Sequence, residues 1–350
     1  MSKVLGLDIG GANIKAAVND GRSIEIGFPL WKRSPELVDV LQADILARFS
    51  DCDHVAVTMT GELCDCFRSK SAGVEFIAST TAKVFQESNT QFYGVDGRFA
   101  SLHQTQQQPL LYSASNWHAL ANFCRRFIKL SAGYALLIDM GSTSTDIIPF
   151  SSEAVLAKGK TDIARITTGE LVYTGALRTP VCAFSQDLLF RGSSVSLSGE
   201  VFATMRDVHV LLESIPSDAN CRDTADGQPA DQHHSGQRLA RMLCADQEEL
   251  TTAELLCVAK QVRAAQLKSI GSAIGRVVSS QQKKPQTIFL SGTGSVILEE
   301  FLRDYFPSSC LTTLGEKMSA ALSIVAPAFS VANLRMDALK SSLAEQIKID

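Results

Sequence analysis

The sequence predicts an α/β protein built from two lobes. Its 350 residues are 45% hydrophobic and 20% charged, which suits a globular chain long enough for two domains. A buried strand that ends in an aspartate and a glycine turn occurs twice, at residues 4–18 and 134–149. A third glycine turn, at residues 291–295, joins a buried strand to a helical pattern.

Composition excludes several classes of protein. No apolar run approaches the roughly 18 residues that a membrane helix needs, and no basic and apolar leader follows Met1. We therefore expect a cytoplasmic protein that does not bind a membrane. The net charge is −4 and no window is rich in lysine or arginine, which argues against nucleic acid as a partner. A homo-oligomer is compatible with the sequence.

The first two glycine turns have the chemistry of an anion site. In the first, Asp8 precedes Gly10 and Gly11, so backbone amides can converge on an anion while the carboxylate holds a hydrated divalent cation. In the second, Asp139 precedes Gly141 and a run of hydroxyl residues. One such turn is weak support for a phosphate site, but three glycine turns in this order are much harder to dismiss.

The order of these turns resembles the actin, hexokinase and Hsp70 superfold. More specific stretches resemble its hydantoinase/oxoprolinase-related branch, and within it the small proteins tied to tetrahydromethanopterin and methanofuran one-carbon metabolism. The stretches that carry this resemblance are residues 7–13, 28–32, 59–65, 113–117, 139–149, 171–181 and 221–227. The resemblance covers nearly the whole chain.

The resemblance implies a two-lobed fold of the ribonuclease H-like type with a central cleft. We expect residues 1–130 to form the first lobe, with the first phosphate hairpin. Residues 131–334 would form the second lobe, with the second hairpin and the third glycine turn. Residues 335–350 would form a C-terminal helix that packs back on the first lobe.

The resemblance also implies a reaction. The characterised archaeal members are synthases that join an aminomethylfuran-methyl diphosphate to the phenol oxygen of γ-glutamyltyramine and release diphosphate. This chain would then be a transferase of methanofuran-type cofactor biosynthesis, with diphosphate and phenolic small molecules as substrates. Two alternatives remain open, because the superfold hosts many activities. They are an ATP-dependent small-molecule kinase or ATPase, with ATP as its cofactor, and a nucleotide-sensing protein without turnover.

Stabilising the departing diphosphate is the main task in this reaction, because the electron-rich furan spreads the developing positive charge. Amides, hydroxyls, a cation and Mg²⁺ would meet that need. We expect Asp8 and Asp139 to orient Mg²⁺ or its waters. The predicted diphosphate-binding residues are Gly10, Gly11, Asn13, Lys15, Gly141, Ser142, Thr143, Thr145, Gly292 and Gly294.

A phenol with a pKa near 10 must lose its proton as it attacks, so a base is needed. Glu62 and Asp146 are the favoured candidates, since each lies in a stretch with no structural need for an acid. Arg178 is a candidate for a cationic contact to the leaving group. Asp146 could instead bond the hairpin backbone, and His118 is expected to be a packed residue near a helix start.

Five further residues are candidates for the substrate pocket. Trp31 and Trp117 could wall the aromatic rings, although core packing is the simpler interpretation. Asn116 lies where a helix begins, and capping by Ser115 or Asn116 would explain it fully. Asp223 and Asp226 could bind a second metal or the aminomethyl group, or form an aspartate-rich turn that ends at Gly227.

Two longer segments complete the sequence-based expectations. Residues 250–278 have helical apolar spacing and predict one long helix with a break near Gly271. Residues 220–237 form the longest polar stretch, whose middle is expected to be a flexible loop near the cleft.

Overall fold

A computed structural model describes residues 2–129, 133–184 and 187–346 of the chain, which fall into two compact units. Unit 1 contains the described residues of Met1–Ala135, Ile148–Asp162 and Leu314–Asp350. Unit 2 contains those of Leu136–Ile147 and Ile163–Thr313. The lobe boundary predicted at residue 130 lies outside the described residues. Among the described residues, no helix combines the length and apolar character that a membrane span requires.

Unit 1 is built on a six-stranded sheet. Its strands are β1 (Val4–Ile9), β2 (Asn13–Val18), β3 (Ser23–Gly27), β4 (His54–Met59), β5 (Thr90–Tyr93) and β6 (Phe99–Ala100). Their order across the sheet is β3-β2-β1-β4-β5-β6. Strands β1, β4 and β5 run parallel, whereas β2 and β3 form an antiparallel meander with β1. All six residues of β1 are buried, as expected for the central strand of a covered sheet.

Helices cover this sheet. They are α1 (Leu30–Arg33), α2 (Leu37–Val40), α3 (Lys70–Phe85), α4 (Leu102–Gln107), α5 (Asn116–Cys124), α11 (Leu314–Lys317), α12 (Ala320–Ile324) and α13 (Ala326–Gln346). The C-terminal helix begins at Ala326, earlier than the predicted residue 335, and packs on β1, β2, β4 and α5. Gly6 makes this contact possible, because a Cβ there would lie 1.9 Å from the carbonyl oxygen of Ala328.

The second sheet repeats the strand order of the first. Its strands are β7 (Ala135–Met140), β8 (Thr145–Phe150), β9 (Leu171–Val172), β12 (Thr287–Ser291) and β13 (Cys310–Thr313). Read from the edge, the order is β9-β8-β7-β12-β13, so the third, second, first, fourth and fifth strands follow one another, as in unit 1. Strands β12 and β13 pair in parallel and β8 and β9 antiparallel. The duplicated order confirms the predicted α/β fold of the actin and hexokinase type.

The remaining elements of unit 2 are five helices and a hairpin, as far as the described residues show. They are α6 (Asp162–Thr168), whose first residue belongs to unit 1, α7 (Met205–Leu211), α8 (Gln232–Arg241), α9 (Thr252–Ser279), α10 (Ser295–Tyr305), and the antiparallel pair β10 (Asp187–Phe190) and β11 (Ser193–Ser196). One apolar cluster packs α9 and α10 on the second sheet. A second joins α7, α8 and the first half of α9.

The break predicted near Gly271 is wrong, because α9 is one continuous helix. The glycine serves packing instead. A Cβ at Gly271 would lie 3.0 Å from the ring of Phe301, and the hydroxyl of Tyr305 donates to the Gly271 carbonyl oxygen at 3.2 Å. Helix α10 therefore lies directly against α9 at this point. The glycine inside this helix therefore marks a close approach between two helices and not a break.

The polar stretch 220–237 is only partly a loop. Helix α8 begins at Gln232, capped by the Asp231 carboxylate, which accepts a hydrogen bond from the amide of His234 at 2.8 Å. Its polar residues include Ser235 and Arg238, which are fully buried and bonded to the Asp207 carboxylate. Because the buried residues of this helix include polar side chains that bond to one another's partners inside the protein, the spacing of apolar residues does not predict the helix.

Candidate functional site

The turn of the first hairpin lies between β1 and β2. The amide of Gly10 donates to the carbonyl oxygen of Asn13 at 2.9 Å, and a Cβ at Gly10 would also lie 2.9 Å from that oxygen. Only glycine fits this closure. Asp8 is 5% exposed and is the direct cross-strand neighbour of Lys15, so both side chains lie on one face of the sheet. The side-chain Nδ2 of Asn13 donates to Glu25 Oε1 at 2.6 Å.

Two segments pack directly on this turn. Thr60 and Gly61, which follow β4, both donate their amides to the Ile9 carbonyl oxygen. A Cβ at Gly61 would lie 3.1 Å from the Gly10 carbonyl oxygen. From the other segment, the amide of Leu30 donates to Gly11 at 2.8 Å. The partly buried Trp31 therefore follows a residue bonded to the turn.

Glu62 follows directly and is 1% exposed. The hydroxyl of Ser113 donates to its Oε1 at 2.6 Å, and its Oε2 is buried without a hydrogen bond to any described residue. Burial raises the pKa of this carboxyl to about 7, although the Ser113 hydrogen bond acts in the opposite direction. Glu62 is thus a carboxyl group that can release or accept a proton near neutral pH.

The loop that carries Ser113 is conformationally strained. Ala114 has φ of 45°, in the left-handed region that an alanine occupies at a cost of about 1 kcal/mol. Ser115 is the residue before α5, but its hydroxyl lies 2.8 Å from that of Thr58 and does not cap the helix. Ser115 therefore occupies the predicted N-cap position, but its side chain makes no capping hydrogen bond. The Asn116 side chain accepts the amide of Trp117 at 2.8 Å.

The turn of the second hairpin is held by a neighbouring segment of unit 2. Within the turn, the amide of Gly141 donates to Ser144 at 2.9 Å. The amide of Ala176 donates to the Gly141 carbonyl oxygen, and the amide of Arg178 to that of Ser142, both at 2.9 Å. A Cβ at Gly175 would lie 2.5 Å from the Gly141 oxygen. Arg178 thus lies beside the turn through its backbone.

The third glycine turn also meets the second hairpin. The amide of Gly294 donates to the Met140 carbonyl oxygen at 2.8 Å. Gly292 has φ of 83°, and a Cβ there would lie 2.6 Å from the Asp139 carboxylate and 2.3 Å from the Met140 oxygen. The structure therefore brings Asp139, Gly292 and Gly294 together within unit 2. No larger residue fits at Gly292 without moving the turn.

Two predicted site residues are occupied by structural contacts. Asp146 forms a buried salt bridge with Arg165, whose side chain is 2% exposed, so the alternative of a structural role is favoured over that of a base. Thr145 is fully buried and its hydroxyl donates to the Thr174 carbonyl oxygen at 2.7 Å. The hydroxyl proton of Thr145 holds the hairpin, whereas the hydroxyls of Ser142 and Thr143 lie at the turn itself.

Three of the residues predicted to line the substrate pocket also make structural contacts. Trp117 is 1% exposed and belongs to the core, as its simpler interpretation predicted. Asp226 accepts hydrogen bonds from Arg238 at 2.9 Å and Arg241 at 3.4 Å, and Asp223 pairs with Arg206 at 3.3 Å. Asp226 thus orders the turn before α8, which favours its structural interpretation, whereas Asp223 is 64% exposed and makes a surface ion pair.

Several residues that bear on the site were not singled out from the sequence. Ser113 orients Glu62. Lys70, at the start of α3, forms a salt bridge with Asp162, and of these two charges Asp162 raises the pKa of Glu62 and Lys70 lowers it. Ser113 and Asp162 are far from Glu62 in sequence, so spacing gives no signal for them, and Lys70 becomes relevant only through its pairing with Asp162. No group of three or more histidine, cysteine, aspartate or glutamate side chains capable of holding a metal occurs among the described residues.

The hydantoinase/oxoprolinase family model matches residues 53–337, which is most of the chain. The chain belongs to the hydantoinase/oxoprolinase family. The matched region includes Glu62, the second hairpin and the third glycine turn, whereas the first hairpin, at residues 4–18, lies outside it.

Two archaeal relatives bear the same name, (4-{4-[2-(γ-L-glutamylamino)ethyl]phenoxymethyl}furan-2-yl)methanamine synthase. That of Methanocaldococcus jannaschii is 37% identical over 95% of this chain and 97% of its own length. That of Methanococcus vannielii is 32% identical over 59% of this chain and 93% of its own length. A structure of the Clostridium difficile 2-hydroxyisocaproyl-CoA dehydratase activator with bound ADPNP aligns over 98% of this chain and 97% of its own, at 12% identity and a TM-score of 0.44, too distant to carry an argument.

Proposed function

We propose that this protein is a transferase that forms the aryl ether of a methanofuran-type cofactor. The observation that carries the proposal is the full-length similarity to the Methanocaldococcus jannaschii synthase, whose name describes a phenoxymethyl-furan product. The substrates would be an aminomethylfuran-methyl diphosphate and γ-glutamyltyramine. The bond from the furan methylene to the diphosphate oxygen breaks, the bond to the phenol oxygen forms, and diphosphate departs.

Each hairpin turn by itself offers groups of the kind that a diphosphate leaving group needs. Glycines at Gly10, Gly141 and Gly292 keep the backbone bare of side chains in both turns and in the glycine turn packed on the second. Bare backbone amides can approach diphosphate oxygens closely. Lys15 adds a positive charge beside Asp8, and the hydroxyls of Ser142 and Thr143 add donors. Such preorganised donors favour the departure of the anion.

Glu62 is the proposed general base. With a pKa of about 7 it is substantially ionised at neutral pH. Its carboxylate is also a stronger base than that of a glutamate with the ordinary pKa, so proton transfer to it is more favourable. Ser113 fixes one oxygen, which leaves Oε2 to take the phenol proton. We assign Asp146 to holding the second hairpin, because its carboxylate is paired with Arg165.

The donor set fits Mg²⁺ that arrives with the diphosphate. Mg²⁺ is held by one or two carboxylates together with substrate phosphates and water, so a dedicated cage of protein ligands is not required. Asp8 and Asp139 are the proposed carboxylates, each at the carboxyl end of the first strand of its sheet. When bound, the ion would neutralise charge on the leaving diphosphate. The cytoplasmic location expected from the sequence stays a prediction.

The decisive experiment supplies the purified protein with Mg²⁺, γ-glutamyltyramine and the furan-methyl diphosphate. We expect one diphosphate released for each ether formed, measured by coupled phosphate detection and mass spectrometry. In parallel, the protein receives Mg²⁺ and ATP with the same phenol. ATP hydrolysis or phosphorylation without ether formation would overturn the proposal and favour a kinase or ATPase. Binding of ATP without turnover of either substrate would favour a nucleotide sensor.

Variants of Glu62 and Asp146 test the assignment of the base. Glu62→Gln should lower kcat by at least about 100-fold while diphosphate binding is kept, because proton transfer to a positioned base contributes about that factor. Asp146→Asn is the matched carboxyl-to-amide change and should act mainly on stability. A larger loss of kcat in Asp146→Asn than in Glu62→Gln would reverse the assignment.

A further inference from the structure

A chain of buried polar side chains lies beneath the second hairpin turn. His209 on α7 and Gln266 on α9 are both fully buried. The Nε2 of His209 is 3.1 Å from Gln266 Oε1, and Gln266 Nε2 lies 2.9 Å from both Thr174 Oγ1 and the Gly175 carbonyl oxygen. All these residues belong to unit 2.

One acceptor fixes which atoms donate and which accept along this series of hydrogen bonds. The Gly175 carbonyl can only accept, so the amide nitrogen of Gln266 faces it and the amide oxygen faces His209. His209 must then carry its proton on Nε2. Its Nδ1 makes no hydrogen bond to a described residue, and burial, aided by the charge of Arg263, lowers the pKa of His209 to about 4. A neutral imidazole therefore donates to Gln266.

Both amide hydrogens of Gln266 are committed to the segment that holds the turn. Gly175 has no room for a side chain against Gly141, and the amides of Ala176 and Arg178 bond to the turn. The hydroxyl of Thr145, at the far end of the turn, donates to the Thr174 carbonyl oxygen. The segment 174–178 is thus tied to Gln266 on one side and to the turn on the other.

We propose that Gln266 is a positioning residue for the diphosphate-binding turn at residues 141–144, and that His209 holds Gln266 in its donating orientation. The ligand of the turn rests on the proposed function, whereas the positioning does not. Buried polar side chains add little net stability over apolar residues of the same shape, but the geometry of their hydrogen bonds, here from His209 through Gln266 to Thr174 and Gly175, specifies one arrangement. Here that arrangement sets where the amides and hydroxyls of the turn point.

Amide hydrogen exchange of the unliganded protein tests the positioning directly. Gln266→Met keeps the length of the side chain and removes both donors, so exchange at Ala176 and Arg178 should accelerate at least about tenfold, the factor that a lost buried hydrogen bond supports. The control is Val262→Ala, which removes buried packing one turn earlier on the same helix. It should accelerate exchange at these amides no more than elsewhere in unit 2.

His209 offers a second, milder comparison. His209→Gln keeps a donor at about the position of Nε2 and should preserve slow exchange at Ala176, whereas His209→Leu should not. In turnover, Gln266→Met should raise KM for the furan-methyl diphosphate about tenfold and leave KM for the phenol unchanged. Equal exchange in Gln266→Met and Val262→Ala, or in the two His209 variants, would overturn the positioning. Absence of ether formation by the wild type would instead overturn the proposed function.

Discussion

The buried carboxyl of Glu62 makes a quantitative prediction about stability. Its pKa rises from an ordinary 4.5 to about 7 in the folded protein, mainly through burial. A change of one in a pKa is worth about 1.4 kcal/mol, so the rise corresponds to about 3 kcal/mol. Because the folded pKa is raised, the protonated carboxyl contributes this free energy to stability below pH 4.5. The contribution is lost as the pH rises through about 7, where the buried carboxyl ionises.

Glu62→Gln removes the titration and keeps an acceptor for Ser113. The variant should therefore gain stability over the wild type as the pH rises from 4.5 to 8, by about 3 kcal/mol in total. Urea unfolding at half-unit pH intervals measures the difference. Glu75→Gln makes the same substitution at an exposed position of α3 and serves as the control. A gain in Glu62→Gln no larger than that in the control would refute the reasoning.

Three further changes test the fold and the site. Gly6→Ala places a Cβ on the Ala328 carbonyl oxygen and should cost about 3 kcal/mol by displacing α13, seen as a lower midpoint of urea unfolding. Arg165→Met takes the guanidinium from the buried Asp146 carboxylate and should cost about 3 kcal/mol, measured in the same way. Asp139→Asn should lose more than about tenfold of Mg²⁺-dependent turnover while circular dichroism stays unchanged.

Each of these has its own control and contrary result. Gly27→Ala adds a methyl group where no atom lies within 4 Å, so a cost equal to that of Gly6→Ala would show that crowding is not the cause. Arg303→Met breaks an exposed pair on α10 and should be nearly neutral. Near-normal Mg²⁺-dependent activity in both Asp139→Asn and Asp8→Asn would mean that neither carboxylate assists the metal.

The local parts of the site could be read from the sequence because each is a short segment with its own geometry. The strand, aspartate and glycine of each hairpin are adjacent in the chain, and the third glycine turn precedes its helix directly. Glu62 is a candidate from the sequence because it lies in a stretch with no structural need for an acid. Its partner Ser113 is not, because 51 residues separate them.

Predictions from the sequence pattern were wrong where one residue type can serve more than one structural or chemical role. Gly271 predicts a helix break but lets α10 approach α9. The polar stretch 220–237 gives no helical pattern, yet its last residues begin α8, whose polar Ser235 and Arg238 are buried. Asp146, Asp223 and Asp226 looked available for chemistry, yet each has an arginine partner in the structure. Those arginines lie 12 to 19 residues away, beyond the reach of any local pattern.

The sequence by itself determined the α/β class, the two hairpins, the glycine turns and the family, because strand alternation and glycine conformations are properties of neighbouring residues. Only the tertiary structure decided how each carboxylate behaves. Glu62 and Asp146 are both buried acids, but Glu62 is enclosed beside a serine hydroxyl and Asp146 beside a guanidinium. Desolvation and charge pairing depend on which residues meet in space, and that separates a carboxyl group that titrates near neutral pH from one held in an ion pair.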